Sequence, residues 1–389
     1  MRSRREPSAD WMASDGMPAV VRGWLAASAD AVPVSGDSGI VIKHPNEIRR
    51  VLASGVYASE TPVHRHVLGS VGQGGLTTSP AGRLGERLLM YAATRDYQRL
   101  DRVTTEHVDA LVERLDRRAA DGEEVDLTEE MSRLTLSVIA ELALGWNAAD
   151  ELAEALAAAR FDLDNADGRA VGLVRERVEQ TPIARGSVLT AMLAAGRSRD
   201  EIAARTATML LGAHHVSANC LVWPWISLIR TPPVYRWWQQ QLRAAPALAR
   251  ALTSDVTKES LRLFPPHWLM GRTAAVDIVV GGHMVPAGTT IVISPFVTHR
   301  HPAFWREPEA FDPQRPRPRH RYAWMPFGLG ARTFLGSSFT LWISDIILSV
   351  LGRRLRFHSD TALRAVPHFG DTLVAPPLPV TIESLGVRR

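Results

Sequence analysis

Two adjacent histidines, His214 and His215, are the residues of this sequence best suited to proton transfer. They lie in a stretch with helical periodicity, where neighbouring side chains are about 100° apart, so only one ring can point squarely inward. An imidazole in an apolar pocket can act as a general acid or base near neutral pH. The alternative is a histidine bonded to a backbone group. His215 is the candidate catalytic residue of the pair.

Tryptophan is unusually frequent, with eleven residues, and an indole face can stabilise a carbocation. Core packing explains most of these residues, while Trp237 and Trp238 are predicted to be exposed. Trp268 is the second candidate catalytic residue. A desolvated tryptophan face stabilises a passing cation by about 1–2 kcal/mol. This would serve the non-redox cyclisation or isomerisation of an apolar polyene.

Neither the acidic residues nor the single cysteine predicts a metal centre. Asp162, Asp164 and Asp167 form the one acidic cluster that could hold Mg²⁺ for a diphosphate, but Gly168 follows them and favours a turn. Cys220 is the only cysteine, so it cannot form an internal disulfide or a cysteine cluster. We interpret it as a small buried apolar side chain. No metal is therefore expected.

Composition is that of a globular protein, with 46% hydrophobic and 22% charged residues. The net charge is +4, but nearly all basic residues are arginines, and the densest run, 315–321, contains prolines that prevent a regular phosphate-tracking face. No nucleic-acid partner is expected. No apolar run reaches transmembrane length, and the charged N-terminus has no apolar core typical of a secretory signal. We expect a cytoplasmic protein with no membrane partner.

Hydrophobic periodicity predicts a mainly α fold with minor β, that is, a helix-rich α+β domain. Ser198 and Glu201 have capping-box spacing at the start of the longest helix, and Pro224 is predicted to kink or end it near Val222. Residues 1–12 are expected to be flexible and 13–389 to form a single domain. The predicted helices cover 45–54, 96–120, 127–144, 151–160, 198–230, 253–264 and 337–353, and the predicted strands cover 39–43, 277–280 and 289–294.

The second half of the chain carries an ordered set of motifs. They are Glu259-Ser-Leu-Arg262, then Arg272, then the stretch 302–315 ending in Phe-Asp-Pro-Gln-Arg315, then Phe327-Gly-Leu-Gly-Ala-Arg332. In order and spacing this set resembles the bacterial members of the cytochrome P-450 superfamily. The resemblance implies a cytochrome P-450-like fold with small sheets and a long central helix at 198–230.

The same resemblance assigns roles to five charged residues. It implies that Glu259, Arg262 and Arg315 form a buried structural lock of bidentate ion pairs. It also implies that Arg272 and Arg332 would bind the haem propionates, if haem binds.

The sequence departs from the family at the positions that carry its chemistry. The haem-ligating cysteine is expected two residues after Arg332, where Phe334 stands, and a phenyl ring has no lone pair for iron. The acid and alcohol of the central helix are replaced by His215 and Val216, and valine cannot relay a proton. A degenerate member without the thiolate is predicted. No cofactor is therefore expected. The alternatives are haem bound without a thiolate, or haem bound by His215 on the distal face.

The family pocket implies a set of lining residues around these two changes. The pocket would lie between the central helix and the segment after Glu259–Arg262, and the residue at the ligand position would close it from below. The predicted lining is Thr208, Leu211, Gly212, Val216, Leu269 and Phe334.

Three functions follow as hypotheses, and the sequence leaves open whether the chain is an enzyme. The first is a haem-independent, non-oxidative cyclase, isomerase or dehydratase acting on a hydrophobic intermediate of natural-product biosynthesis. The second is a non-catalytic activator of a biosynthetic partner such as a glycosyltransferase, as implied by haem-less relatives, with Trp237 and Trp238 at the interface. The third is a haem-binding monooxygenase or peroxidase-like protein with a replaced axial ligand.

Overall fold

A computed structural model describes most of the chain. The described residues are 17–34, 39–53, 57–59, 96–145, 167–180, 192–193, 196, 198–329, 333–334, 336–370 and 372–386. The prediction for residues 1–12, the predicted helix at 151–160 and the acidic residues Asp162 and Asp164 lie outside this part. The side chain of Asp167 is likewise not described.

The described part is mainly helical with several small sheets, which confirms the predicted fold class. Its longer helices are α1 (Ala19–Ala26), α2 (Pro45–Ala53), α3 (Tyr97–Ala120), α4 (Leu127–Ile139), α5 (Asp167–Gln180), α6 (Arg199–Arg230), α7 (Pro232–Ala244), α8 (Ala249–Leu263) and α10 (Ser337–Arg354). Two short helices, α9 (Pro295–Thr298) and α11 (Asp360–Arg364), complete the set.

Helix α6 is the central element and packs against α4, α5, α8 and α10. It begins with the predicted capping box, in which the Ser198 hydroxyl accepts from the Glu201 backbone N–H and the Glu201 carboxylate accepts from the Ser198 N–H. The helix continues through Pro224 to Arg230, in agreement with the predicted range 198–230, so of the two predicted effects of the proline an end near Val222 is wrong. Buried side chains on both sides of the proline, such as Trp223 and Trp225, hold the last turns in place.

The largest sheet joins the N-terminal segment to the segment that follows α8. Its strands are β1 (Ala31–Val34), β2 (Gly39–Ile42), β3 (Tyr57–Ser59), β5 (Met270–Ala274) and β8 (Thr290–Ile293), in the order β1-β2-β8-β5-β3. Strands β2 and β8 are parallel, and the other pairs are antiparallel. The smaller strands are β4 (Val125–Asp126), β6 (Ile278–Val280), β7 (His283–Val285), β9 (Leu355–His358), β10 (His368–Phe369), β11 (Leu373–Val374) and β12 (Pro379–Ser384).

An aromatic core lies where α6, α7 and α10 meet. Trp238 is fully buried, lies edge-to-face with Trp225 at 5.8 Å, and covers Gly352 of α10 so closely that an added Cβ would overlap its ring. Trp237 is half-buried and packs against the same core. The expectation that Trp237 and Trp238 are exposed is therefore wrong. Helix α7 thus turns this aromatic face towards the core, and Trp238 is not available for docking.

The helices also bear on membrane association. Within the described residues, no helix combines the length and the apolar character that crossing a membrane requires.

Candidate functional site: the scaffold around Phe334

A buried ion-pair network joins α8 to the segment that follows α9. Glu259 accepts from Arg262 Nε and Nη2 at 2.9 and 2.8 Å and from Arg315 Nε at 2.9 Å. The exposed fractions of the three side chains are 5%, 0% and 8%. Arg262 also donates to the carbonyls of Pro308 and Ala310, at 2.6 and 2.9 Å. Such a network contributes little net stability but penalises the loss of any one partner, so it fixes this geometry.

His299 continues the network towards the loop that carries Phe334. Its Nδ1–H donates to the Arg262 carbonyl at 3.0 Å, and its Nε2 accepts from the Met325 backbone N–H at 2.8 Å. Complete burial lowers the pKa of His299 to about 3, since the charged ring would lose its hydration beside two arginines. The neutral imidazole therefore joins α8 to residues 325–329.

Phe334, which the resemblance aligns with the family's cysteine, is held by two backbone hydrogen bonds. The Phe334 backbone N–H donates to the Phe327 carbonyl at 2.9 Å, and the Phe334 carbonyl accepts from Ser337 at the start of α10. The ring covers Gly336, where a Cβ would lie 2.8 Å from it. Residues 330–332 and 335 lie outside the described part, so the predicted role of Arg332 stays a prediction.

The Phe334 ring packs against a small apolar cluster that is distinct from the main core. The cluster consists of Val216 and Cys220 of α6, Leu261 of α8 and Phe327, all buried. The structure thus brings together two predicted pocket residues, Val216 and Phe334. It also places Cys220 in the cluster against which Phe334 packs, although positions 220 and 334 are far apart in sequence. Burial raises the pKa of the Cys220 thiol, so the thiolate form that iron requires is disfavoured.

Trp268 and Leu269 belong instead to the main core. Trp268 is fully buried, its Nε1–H donates to the Gly370 carbonyl at 2.7 Å, and its ring lies edge-to-face with Phe369 at 5.0 Å. These contacts are those of a packing residue. Its role in cation stabilisation stays a prediction, as does the pocket role of Leu269.

The other predicted pocket residues lie on the central helix. Their backbone belongs to α6, but their side chains are outside the description, so their roles stay predictions: Thr208, Leu211, Gly212 and His215.

An imidazole that the sequence reasoning missed lies beside the ligand position. The rings of His267 and Phe334 have centroids 5.9 Å apart, and His267 is half-buried at the start of the segment leading into β5. Its backbone N–H donates to the Pro326 carbonyl, which joins that segment to the Phe334 loop. The available signal was its place directly before Trp268, a residue already predicted to face the pocket.

Arg272 is a buried cation on β5, with 4% exposure. Its Nη1 donates to the Gly271 carbonyl at 2.7 Å. A buried guanidinium suits a carboxylate such as a haem propionate.

Comparison with known proteins identifies the family. A family model for cytochrome P450 matches residues 174–383, more than half of the chain. The chain therefore belongs to the cytochrome P450 family.

Curated relatives of the same family each match about half of this chain. Cyclooctatin synthase of Streptomyces melanosporofaciens is 32% identical over 215 residues, which are 50% of this chain and 47% of that protein. Putative cytochrome P450 132 of Mycobacterium tuberculosis is 28% identical over 205 residues, 49% of this chain and 44% of that protein. Cytochrome P450 4V2 of Mus musculus is 30% identical over 195 residues, 46% of this chain and 37% of that protein. The matches span less than half of each relative's length.

Family membership corrects one expectation. The prediction that no cofactor is bound is wrong, because the family and its relatives are haem proteins. The donor set nevertheless does not fit the family's thiolate-bound haem. Phe334 has no donor atom, and the one cysteine is a buried thiol whose protonated form is favoured.

Proposed function

We propose that this chain is a cytochrome P450-family enzyme that catalyses a non-oxidative step, such as a cyclisation, isomerisation or dehydration, on a hydrophobic small molecule. The proposal concerns the chemistry, and it does not rest on an absence of haem. The observation that carries it is Phe334 at the end of an intact scaffold.

The chemistry of the site supports a non-oxidative step. In the family, a cysteine thiolate donates electron density to iron and favours cleavage of the O–O bond. A phenyl ring at that position cannot do so. The central helix carries Val216 where the resemblance implies a proton-donating alcohol, and the Val216 side chain is buried in the cluster around Phe334. The thiolate and the alcohol are thus both replaced by apolar groups.

A hydrophobic substrate is supported by the same cluster and by one relative. The residues around Phe334 are almost entirely apolar, which favours a ligand that gains affinity by leaving water. The relative cyclooctatin synthase is named for the making of a single compound, so a role in natural-product biosynthesis is proposed for this chain by analogy.

A deletion of the gene in its producing strain tests the proposal. We expect the intermediate that accumulates to have the mass of the pathway's next compound, or that mass plus one water. An intermediate that lacks one oxygen atom relative to the next compound would overturn the proposal.

Complementation of the deletion tests the predicted catalytic residues. His215→Ala and Trp268→Ala should fail to restore the product, whereas Trp268→Phe retains an aromatic face. His283→Ala on the exposed β6–β7 hairpin is the control for loss of an imidazole. Restoration by both alanine variants would remove these two residues from the proposal, but not the reaction class.

His267 favours a second candidate function, a haem protein with a nitrogen ligand in place of the thiolate. Imidazole is the axial ligand of many other haem proteins, and this ring lies beside the ligand position. Purified protein supplemented with haem should then show a Soret band that His267→Ala shifts and His283→Ala does not. An identical spectrum in all three proteins would eliminate this candidate.

A further inference from the structure

A second group of potential ligands lies at the edge of the five-stranded sheet, among residues that the proposed function does not use. Asp30 is in the turn before β1, His44 follows β2, and His301 follows α9. One donor atom from each residue lies within 4.8 Å of the other two. In the part of the chain that the structure describes, no other group of this kind is found. We propose that Asp30, His44 and His301 bind a first-row divalent transition metal such as Zn²⁺.

The ligand types suit such an ion. Two imidazole nitrogens and one carboxylate are a recurrent ligand set for Zn²⁺, and three protein donors leave a coordination position for water. Donors that share one Zn²⁺ at about 2.0–2.1 Å lie about 3.4 Å from each other. Side-chain rotations that move the three donor atoms by about 1 Å therefore suffice to bring them to this spacing. His301 Nε2 and Asp30 Oδ1 are already 2.9 Å apart.

The three residues are held together before any ion binds. The Lys43 backbone N–H donates to the Asp30 carbonyl at 2.8 Å, which fixes Asp30 beside the end of β2. The ring centroids of His44 and His301 are 5.1 Å apart, and Phe304 lies edge-on to both, at 5.2 and 5.6 Å. His301 and His44 are half-buried, and Asp30 is exposed, so the site opens to solvent on one side.

Neighbouring charges set the strength of the site. The Lys43 ammonium bonds to the carbonyls of Trp24 and Ala27 at the end of α1, and it remains close enough to attract Asp30. The positive charge of Lys43 opposes the binding of a divalent metal ion beside it. We therefore expect a modest affinity, with a dissociation constant on the order of 10 µM.

The histidine tautomers add a second cost. The backbone N–H groups of Asn46 and Ala303 donate to the Nδ1 atoms of His44 and His301, at 3.1 and 3.2 Å. In the metal-free protein the protons are therefore on Nε2. Coordination through Nε2 moves each proton to Nδ1 and gives up these backbone bonds, which weakens metal binding further.

Metal binding would connect the N-terminal segment to the second half of the fold. Asp30 and His44 flank β1 and β2, whereas His301 belongs to the segment that leads to Arg315. An ion that binds the folded state alone stabilises it by mass action. Saturating Zn²⁺ should therefore raise the thermal unfolding temperature.

The experiment uses the full chain with any affinity tag removed and with metal stripped by a chelator. Co²⁺ titration followed by d–d absorption, and Zn²⁺ titration followed by calorimetry, should give one site per chain. His44→Gln, His301→Gln and Asp30→Asn should each weaken binding by more than about tenfold. His358→Gln is the matched control, because His358 also contacts a carboxylate, Glu383 at 3.2 Å, in an exposed pair.

Two results would overturn the proposal. One is binding that is unchanged in the His44→Gln/His301→Gln double variant, which would mark the ion as adventitious. The other is a loss of binding in His358→Gln. Because Asp30 is exposed, Asp30→Asn should fold normally and keeps the test decisive if a histidine variant does not fold.

Discussion

Phe334 donates its backbone N–H to the carbonyl of Phe327 at 2.9 Å, and the two rings stack with centroids 6.0 Å apart. Residue 334, which the resemblance aligns with the ligand position, is thus held both by the backbone and by aromatic packing. A different side chain at position 334 would therefore be presented by a similar turn. This makes position 334 a site where the chemistry can be changed while the scaffold stays.

Phe334→Cys should introduce a thiolate-type haem spectrum into the protein. The turn would present the sulfur as it now presents the phenyl ring, and iron would favour its deprotonation. The measurement is the optical spectrum of the haem-supplemented variant and its carbon monoxide complex. Phe327→Cys is the matched control, since it places a thiol in the same apolar cluster but not at the ligand position. A Phe334→Cys spectrum that matches the starting protein would contradict the assignment of this position.

Glu259→Gln should lower the free energy of unfolding by about 3–5 kcal/mol, because it leaves buried Arg262 and Arg315 without their carboxylate. Urea unfolding followed by circular dichroism measures the change. Glu106→Gln removes an exposed partner of Arg102 and should cost less than about 0.5 kcal/mol. Equal losses in the two variants would show that the Glu259 network has no special role.

Much of the helical part of this fold could be predicted, because its signals are local. Helix α3 starts one residue later than predicted, and α10 ends one residue later, since apolar periodicity marks their buried faces. Helix α8 begins at Ala249, four residues before its predicted start, and no side chain caps its N-terminus to signal it. Helix α7 was missed, although Pro232 at its first position is a common start signal.

What could not be predicted depends on contacts between distant residues. The parallel pairing of β2 with β8 joins residues about 250 positions apart, and no local pattern encodes it. Strand β7 was missed because it is short, with two of its three residues exposed. In the candidate site, the Glu259 network was implied by the family resemblance that the ordered motifs carry. The packing of Phe334 against the cluster that contains Cys220, and its place beside His267, in contrast, require the folded chain.

Gly352→Ala should destabilise the protein by about 1–3 kcal/mol although alanine favours helices. The added methyl group would overlap the Trp238 ring, which is fully buried and has no space to move. Thermal and urea unfolding measure the loss. Gly172→Ala in α5 is the matched control, since its Cβ would meet nothing within 4 Å. That control should be neutral or stabilising, by up to about 1 kcal/mol. A stable Gly352→Ala protein would contradict the packing of α7 on α10.

His299 should make the protein less stable as the pH falls below about 6.5. An unfolded chain binds a proton at this residue near pH 6.5, whereas burial lowers the pKa in the folded state to about 3. Between these values the unfolded state binds more protons, so the free energy of unfolding decreases as the pH decreases, by at most about 1.4 kcal/mol per pH unit. Urea unfolding at a series of pH values between 4 and 8 measures this slope.

His299→Gln should be less stable than the starting protein at pH 8, because it loses the bonds to Arg262 and Met325, and the difference should shrink towards pH 4. His283→Gln is the control for loss of an exposed imidazole. A constant difference between His299→Gln and the starting protein over this range would mean that His299 does not titrate on unfolding.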